Sequence, residues 1–140
     1  MLLSELVSYI DDYLDVKKIP DCSINGLQVE GFKECQSIAT AATASLEAID
    51  AAIESGADTL IVHHGLFWKG QTTPVIGAFK DRLNAILESN INLLAYHIPL
   101  DTHLVVGNNR YLSDLIKLSE IDYIETGNPN SYALVGILDE

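Results

Sequence analysis

Short apolar runs alternate with amphipathic segments along most of the chain, and this alternation constrains the fold more than any other feature. The runs predict strands over residues 37–42, 57–64, 91–97 and 132–138. Because they contain few polar residues, they are typical of a parallel sheet that is covered on both faces. We therefore predict an α/β fold in which a mostly parallel sheet is flanked by helices, formed as a single domain by residues 1–140.

The segments between these runs carry the signals of helices. Apolar residues at helical spacing, or alanine-rich composition, predict helices within residues 2–14, 44–55, 74–90 and 107–119. Thr43 is a candidate N-cap for the second of these helices, and Gly56 is a natural stop after it. Asn25 and Gly26 predict a turn that leads into a short strand at residues 27–29.

Composition and charge limit the partners that the chain can have. Hydrophobic residues make up 48% and charged residues 20% of the chain, as in globular proteins. No apolar run approaches the roughly 20 residues of a membrane span. The formal net charge of −12 would repel nucleic acid and anionic lipid, so we expect neither a nucleic acid nor a membrane as a partner. Cys22 and Cys35 form no CxxC pair, so we expect reduced thiols and a cytoplasmic location.

All four histidines of the chain follow two of the predicted strands. His63 and His64 end one strand, His97 ends the next, and His103 lies with Asp101 in the loop that follows. One crossover joins these strands, so we expect them to be neighbours whose carboxyl ends meet at the same edge of the sheet. Imidazole with carboxylate suits zinc, iron, nickel, cobalt or manganese, which predicts a divalent metal site there. A structural cluster of hydrogen-bonded side chains is the alternative.

The adjacency of the first two histidines sets a further condition. Neighbouring residues of a regular strand point to opposite faces, so both can serve one site only if the backbone turns at that point. Gly65 would permit such a turn. Each histidine could then address a different metal of a pair.

Residues that flank the histidines allow two interpretations each. Phe67 and Trp68 could stack against a planar substrate, or they could simply pack in the interior. Lys69 could hold an anionic substrate, or it could lie in solvent. Asn108 and Asn109 open a predicted helix near the same edge, where N-capping or anion binding would each account for them.

Three segments together resemble a known family. SINGLQVEG, GADTLIVHHGLFWKG and NLLAYHIPLDTHLVVGNN occur in the order and spacing of the Nif-three-like dinuclear metal family, whose members are commonly named GTP cyclohydrolase 1 type 2 homologs. The resemblance covers nearly the whole chain. It implies that His63, His64 and Asp101 bind metal directly and that His97 lies in the active site with them.

The same resemblance implies properties of the whole protein. Members of the family are cytoplasmic and assemble as toroidal homohexamers with two divalent metal ions in each subunit. They also carry a second α/β half, in which a histidine and a glutamate complete the metal pair. We therefore expect these 140 residues to be the N-terminal part of a longer family protein.

Two classes of function fit these features. A metal-dependent hydrolase would act on a nucleotide-like or other small heterocyclic substrate, since a bound divalent ion lowers the pKa of its water toward ~7. His97 or His103 would then transfer the proton. The alternative is a non-catalytic metal-binding or interaction protein, such as a metal chaperone. The candidate contacts to an anionic substrate are Lys69, Lys80, Arg82 and Arg110.

Overall fold

The computed structural model describes residues 1–72, 74–125 and 131–138, in which helices and strands alternate through the centre of the chain. The elements are α1 (Leu3–Tyr13), β1 (Gly26–Val29), β2 (Ile38–Thr43), α2 (Leu46–Glu54), β3 (Thr59–His64), α3 (Gly77–Ser89), β4 (Asn92–Ala95), α4 (Ile98–Thr102), α5 (Asn108–Leu115), β5 (Leu118–Tyr123) and β6 (Leu134–Leu138). Among the described residues, no helix has both the length and the apolar content needed to cross a bilayer.

Four strands form a mixed sheet in the order β1-β4-β3-β2. The strands β2, β3 and β4 are parallel, whereas β1 pairs with β4 in the antiparallel direction. Because β1 runs the opposite way, its first residue, Gly26, lies beside Ala95 at the carboxyl end of β4. The segment that precedes β1 therefore reaches the same edge at which the three parallel strands end.

Helices cover both faces of this sheet, which confirms the predicted α/β fold. Side chains of β4 alternate between the two faces, as the pleat of a strand requires. Leu93 is buried in the core that α2 and α3 cover, together with Ile49 and Ile86 of those helices. Leu94 is buried on the opposite face, where α1 contributes Leu6.

The side chain of Tyr96 ties α1 to the end of β4. Its ring is almost fully buried, and its hydroxyl donates a hydrogen bond to Asp11 Oδ1 at 3.0 Å. Burial, followed by the neighbouring Asp11 carboxylate, raises the pKa of Tyr96 well above its usual value. The phenol therefore stays protonated and keeps donating to Asp11 throughout the physiological pH range.

The start of α2 differs from the sequence prediction because another residue caps the helix. Ser45 is the N-cap, and its Oγ accepts a hydrogen bond from the backbone N–H of Ala48. Thr43 belongs to β2 instead, where it lies beside His64 of β3. The predicted stop is confirmed, since α2 ends before Gly56, which has a φ of 75°.

The C-terminal region departs further from the prediction. The helix predicted over residues 107–119 ends at Leu115, and Lys117 then adopts a φ of 59°. A left-handed residue ends the helical path, and residues 118–123 form β5. The strand predicted over 132–138 pairs with β5 in a separate antiparallel sheet, so it does not join the parallel strands.

Apolar side chains on α5 and β6 are exposed, together with one just after β5. Seven of them are between 49% and 71% exposed, namely Tyr111, Leu112, Leu115, Ile124, Val135, Ile137 and Leu138. Single exposed apolar residues are common on protein surfaces, whereas groups of them mark contact surfaces. We call this group the C-terminal apolar face.

Candidate metal centre

Three of the four histidines meet at the carboxyl edge of the sheet. His63 and His64 end β3, His97 follows β4, and one ring nitrogen from each lies within 4.8 Å of the others. The ring centroids of His63 and His64 are 4.4 Å apart, and that of His97 lies 4.8 Å and 5.6 Å from them. The crossover between β3 and β4 therefore brings these side chains together as their positions at the strand ends predict.

The hydrogen bond on one nitrogen of His63 fixes the state of the other. His63 Nδ1 lies 3.0 Å from the backbone carbonyl of Tyr96. A carbonyl can only accept, so Nδ1 carries a proton and the neutral ring keeps its lone pair on Nε2. Nε2 faces Asp101 Oδ2 at 3.5 Å. Two acceptors face each other there, and a cation or a proton between them would be bound favourably.

His97 is held by a buried carboxylate. Its Nδ1 lies 2.9 Å from Asp21 Oδ1, and the Asp21 side chain is fully buried. Asp21 also accepts hydrogen bonds from the backbone of Ser23 and Ile98 and from the Asn25 amide. Burial would raise the pKa of Asp21, but the hydrogen bonds, led by that of His97, outweigh it and lower the pKa to about 2. The ring of His97 therefore donates through Nδ1 and keeps its lone pair on Nε2.

Asp21 and Asn25 contact the candidate site, although no sequence pattern indicated it. Asn25 Oδ1 accepts the backbone N–H of His97 at 2.8 Å, while its amide donates to Asp21. In the sequence, Asn25 indicates only a turn before Gly26. These residues reach the histidines because β1 is antiparallel to β4, and that pairing depends on residues about 70 positions further along the chain.

His64 is the most exposed of the three histidines. Its Nδ1 lies 3.1 Å from the hydroxyl of Thr43, at the end of β2. Burial and then the neighbouring His63 and His97 lower the pKa of His64, and the Asp101 carboxylate opposes them. The ring is consequently neutral at pH 7 and has one nitrogen lone pair available for a metal ion.

The two adjacent histidines share the site because their strand lies between two others. His63 bonds toward β4 through the carbonyl of Tyr96, and His64 bonds toward β2 through Thr43. Both residues still belong to β3, so the two rings come together without a break in the strand. Gly65 is needed for another reason.

Gly65 allows a side chain to pass close to the backbone. It does not adopt the left-handed conformation, but an added Cβ would overlap the side chain of Gln28 and crowd Ala95. Gln28 Oε1 accepts the backbone N–H groups of Leu66 and Phe67 at 2.8 Å and 3.1 Å. Gln28 thereby holds the loop that follows the histidines in place.

Asp101 approaches the cluster from α4. Asn108 donates its amide to Asp101 Oδ1 at 2.8 Å, which leaves Oδ2 directed toward His63. Asn108 therefore orients this carboxylate and makes no side-chain cap at the start of α5. The structure brings Asp101 to the same site as His63, as the motif implies.

His103 lies apart from the other three histidines. Its Nε2 is 3.1 Å from the carbonyl of Tyr13, and its ring stacks on the Tyr13 ring at 4.8 Å. Its Nδ1 accepts the backbone N–H groups of Val105 and Val106. Both ring nitrogens are therefore occupied by structural hydrogen bonds, and His103 has no free position from which to transfer a proton.

Of the residues that follow the cluster in the chain, two pack against other rings and one supports a neighbouring loop. Phe67 packs edge-on against Phe79 at 5.7 Å, whereas the ring of Trp68 packs edge-on against His97 at 5.1 Å. Lys69 Nζ donates to the backbone carbonyl of Asp21 at 3.0 Å, so it supports the loop that carries the buried carboxylate.

A second group of potential metal ligands shares His97. It consists of Asp21, Cys22 and His97, whose ligand atoms also lie within 4.8 Å of one another. Asp21 already accepts four hydrogen bonds and is fully buried, so its oxygens are poorly placed to bind an ion. The cluster of His63, His64 and His97, with Asp101 beside His63, is therefore the better candidate for the metal centre.

Acid should weaken the fold through Asp21. Its pKa of about 2 in the folded chain lies below the usual value of ~3.9, so its contribution is complete above about pH 4 and disappears as the pH falls through about 2. We expect Asp21→Asn to cost about 2 kcal/mol at pH 7 and to flatten the loss of stability between these pH values. Urea denaturation at several pH values measures both effects.

The exposed Asp50 of α2 provides the control. Asp50→Asn should leave the pH dependence of the free energy of unfolding unchanged. An equal effect of both substitutions would contradict the role given to Asp21.

Comparison with protein families gives a clear match. The family model Duf34/NIF3 (NGG1p interacting factor 3) matches residues 1–139. The GTP cyclohydrolase 1 type 2 homolog of Pseudomonas aeruginosa is 46% identical over 138 residues, which are 99% of this chain and 55% of that protein. The proteins of the same name from Pyrococcus abyssi and Escherichia coli K12 are 48% and 43% identical over 84% and 87% of this chain, and 47% and 49% of their own lengths.

Solved structures agree with these matches. The protein ybgI, described as of unknown function, superposes with a TM-score of 0.86 at 42% identity, over 89% of this chain and 51% of its own. A protein from Thermus thermophilus gives a TM-score of 0.84 at 42% identity, over 91% and 52%. The chain thus spans about half the length of its relatives. The family resemblance drawn from the three sequence segments is confirmed, and the chain belongs to the DUF34/NIF3 family.

Proposed function

We propose that this protein is a metal-dependent hydrolase of a nucleotide-like or other small heterocyclic substrate. His63, His64 and Asp101 bind the metal, and His97 is the catalytic residue. The observation that carries the proposal is the convergence of three imidazole rings, each held by a hydrogen bond through Nδ1, with a carboxylate at the same edge of the sheet.

The donor set fits a divalent transition metal. Imidazole nitrogens and one carboxylate suit zinc, iron, nickel, cobalt or manganese, and too few oxygens are present for a calcium site. The exposure of His64 leaves one side open to small molecules, which is typical of catalytic sites. When bound, such an ion polarises a substrate and lowers the pKa of water toward ~7.

Two ions per subunit are part of the same proposal. His63 and His64 bond to strands on opposite sides of β3, so each could serve a different ion. The three ligands proposed in the described part of the chain are enough to hold one ion and too few to saturate two. Further ligands would come from the second half that the family resemblance implies.

The environment of His97 suits proton transfer. Asp21 accepts from Nδ1, which fixes the tautomer and would stabilise the ring if Nε2 accepted a proton. The edge-on Trp68 ring and the hydrogen bond from the His97 backbone to Asn25 limit movement of the residue. Asp101 supplies a metal ligand beside His63, which leaves Nε2 of His97 available for the substrate.

Removing two of the proposed ligands should remove the metal. We expect the double variant His64→Ala with Asp101→Ala to lose at least about 90% of its bound metal, because the loss of ligand interactions lowers metal affinity by about 10-fold or more. Elemental analysis of protein purified without chelators measures this content, and circular dichroism checks the fold. His103→Ala is the control and should keep its metal, since His103 contacts Tyr13 instead. Full metal content in the folded double variant would refute the ligand assignment.

His97 should affect turnover more than metal content. We expect His97→Ala to lower metal-dependent hydrolysis by about 100-fold or more, the usual worth of a positioned acid or base, while the bound metal remains. A panel of nucleotides, cyclic amides and esters, assayed with each defined metal, provides the measurement. Unchanged turnover in the variant would contradict the role of His97. A metal-loaded wild type that hydrolyses nothing would instead favour the metal chaperone or interaction protein.

We also propose that the protein is cytoplasmic and self-associates, as a homohexamer if it follows the family resemblance. The free thiols of Cys22 and Cys35 support a reducing compartment. The C-terminal apolar face supports association, because leaving such a surface in water is unfavourable. A second copy of the chain is the occupant that this proposal assigns to the face.

A charge placed on the C-terminal apolar face should dissociate the assembly. Light scattering should give the wild type a mass several times 15.3 kDa, and Leu115→Glu should reduce that mass to the monomer value because association would then bury an unpaired charge. Leu87→Glu places the same charge on an exposed position of α3 and should have no effect. A monomeric wild type, or equal effects of both variants, would overturn the proposal.

A further inference from the structure

A cavity of about 730 Å³ adjoins the candidate metal centre. Its walls include Gly65, Leu66, Phe67 and Trp68, which directly follow His64 in the chain. Trp68 belongs to both regions, since it lines the cavity and packs against His97. The size is that of a pocket for a small molecule. The fold thus places an open space beside the histidines, with one aromatic ring at the boundary.

The walls of this cavity favour a planar ligand. Phe67, Trp68 and Phe79 contribute aromatic rings, and Ile24 and Leu66 add aliphatic surface. Phe67 is held edge-on against Phe79, and Gln28 fixes the backbone that carries it. Walls that are already rigid lose little conformational entropy when a flat ring enters.

Arg82 gives the cavity a positive charge. Its Nε and Nη1 donate to the backbone carbonyls of Ala78 and Ala44, each at 3.2 Å. Within the described residues no carboxylate forms an ion pair with Arg82, whereas Arg110, the chain's other arginine, pairs with Asp114. A guanidinium fixed in this way keeps further N–H donors for an anion.

The position of Arg82 relates it to the histidine cluster. The carbonyl that it contacts belongs to Ala44, which follows Thr43, the partner of His64. The backbone N–H of Ala44 also donates to the carbonyl of His64. An anionic group on Arg82 would therefore lie on the β2 side of the cluster, while a ring against Trp68 would lie on the side of His97.

We propose that this cavity binds a planar heteroaromatic ring that carries an anionic group, with the ring against Trp68 and the anion on Arg82. The proposal rests on the proposed function, because it assigns the substrate class of that same site. The net charge of −12 favours a small anion over a nucleic-acid polymer, whose many phosphates the surface would repel. A nucleoside monophosphate has the required ring, charge and size.

Trp68 is the chain's single tryptophan, so its fluorescence reports directly on the cavity. Guanosine 5′-monophosphate should quench this fluorescence to saturation, guanosine should bind about 10-fold more weakly, and ribose 5-phosphate should not saturate, since a charge-assisted contact and a stacked ring each contribute about 10-fold or more. Titration with and without chelator separates contacts to protein from contacts to metal.

Variants assign the two contacts to residues. Arg82→Gln should weaken binding of guanosine 5′-monophosphate about 10-fold and leave guanosine unchanged, whereas Trp68→Leu, followed by calorimetry, should weaken both. Arg110→Gln is the matched control and should change neither. Circular dichroism and denaturation midpoints verify that each variant is folded.

The outcomes separate this proposal from the proposed function. Absence of saturable binding, or equal binding in wild type and Arg82→Gln, would overturn the assignment of the cavity even if hydrolysis were found. Binding that depends on Arg82 and Trp68 in a protein without hydrolytic activity would support the cavity and contradict the hydrolase. Weaker binding of guanosine 5′-monophosphate together with a higher KM in Arg82→Gln would support both the assignment of the cavity and the hydrolase.

Discussion

The carboxylate of Asp21 links the parts of the molecule on which the candidate site depends. It lies in the loop before β1, yet it accepts hydrogen bonds from the ring of His97 and from the backbone of Ile98, which follow β4. Because the group is fully buried, each hydrogen bond that it accepts stabilises the ionised form and resists rearrangement. The geometry of His97 is therefore set by a residue that is distant in sequence, and the two loops hold each other in place.

A central position in the sheet explains how two adjacent histidines can serve one site. The strand β3 lies between β4 and β2, and each neighbour supplies one partner, the carbonyl of Tyr96 for His63 and the hydroxyl of Thr43 for His64. The two rings lie close together at the end of β3, although neighbouring residues of a regular strand point to opposite faces. Because the carboxyl ends of parallel strands lie at the same edge of the sheet, the partners from β4 and β2 both meet the histidines there.

Local patterns predicted the centre of the fold and the histidine cluster but missed the groups that orient it. Apolar runs identify the buried strands. The handedness of the crossovers then predicts that residues at the ends of neighbouring parallel strands lie at the same edge of the sheet. The roles of Asp21 and Gln28 depend on the antiparallel pairing of β1, which no local signal specifies. The predicted helix over 107–119 runs into the first two residues of the strand at 118–123, because apolar residues continue past Leu115 and the break at Lys117 has no glycine to mark it.

The state of the candidate ligand side chains suits the binding of a cation at neutral pH. Metal ions compete with protons for imidazole, so a histidine with a lowered pKa loses little affinity to that competition. His64 has such a pKa, and His63 already carries its proton on the nitrogen that faces Tyr96. An ion at this position would join β3 to α4 through Asp101, so its binding free energy would add to the stability of the fold. Its charge would also offset part of the repulsion within a chain of net charge −12.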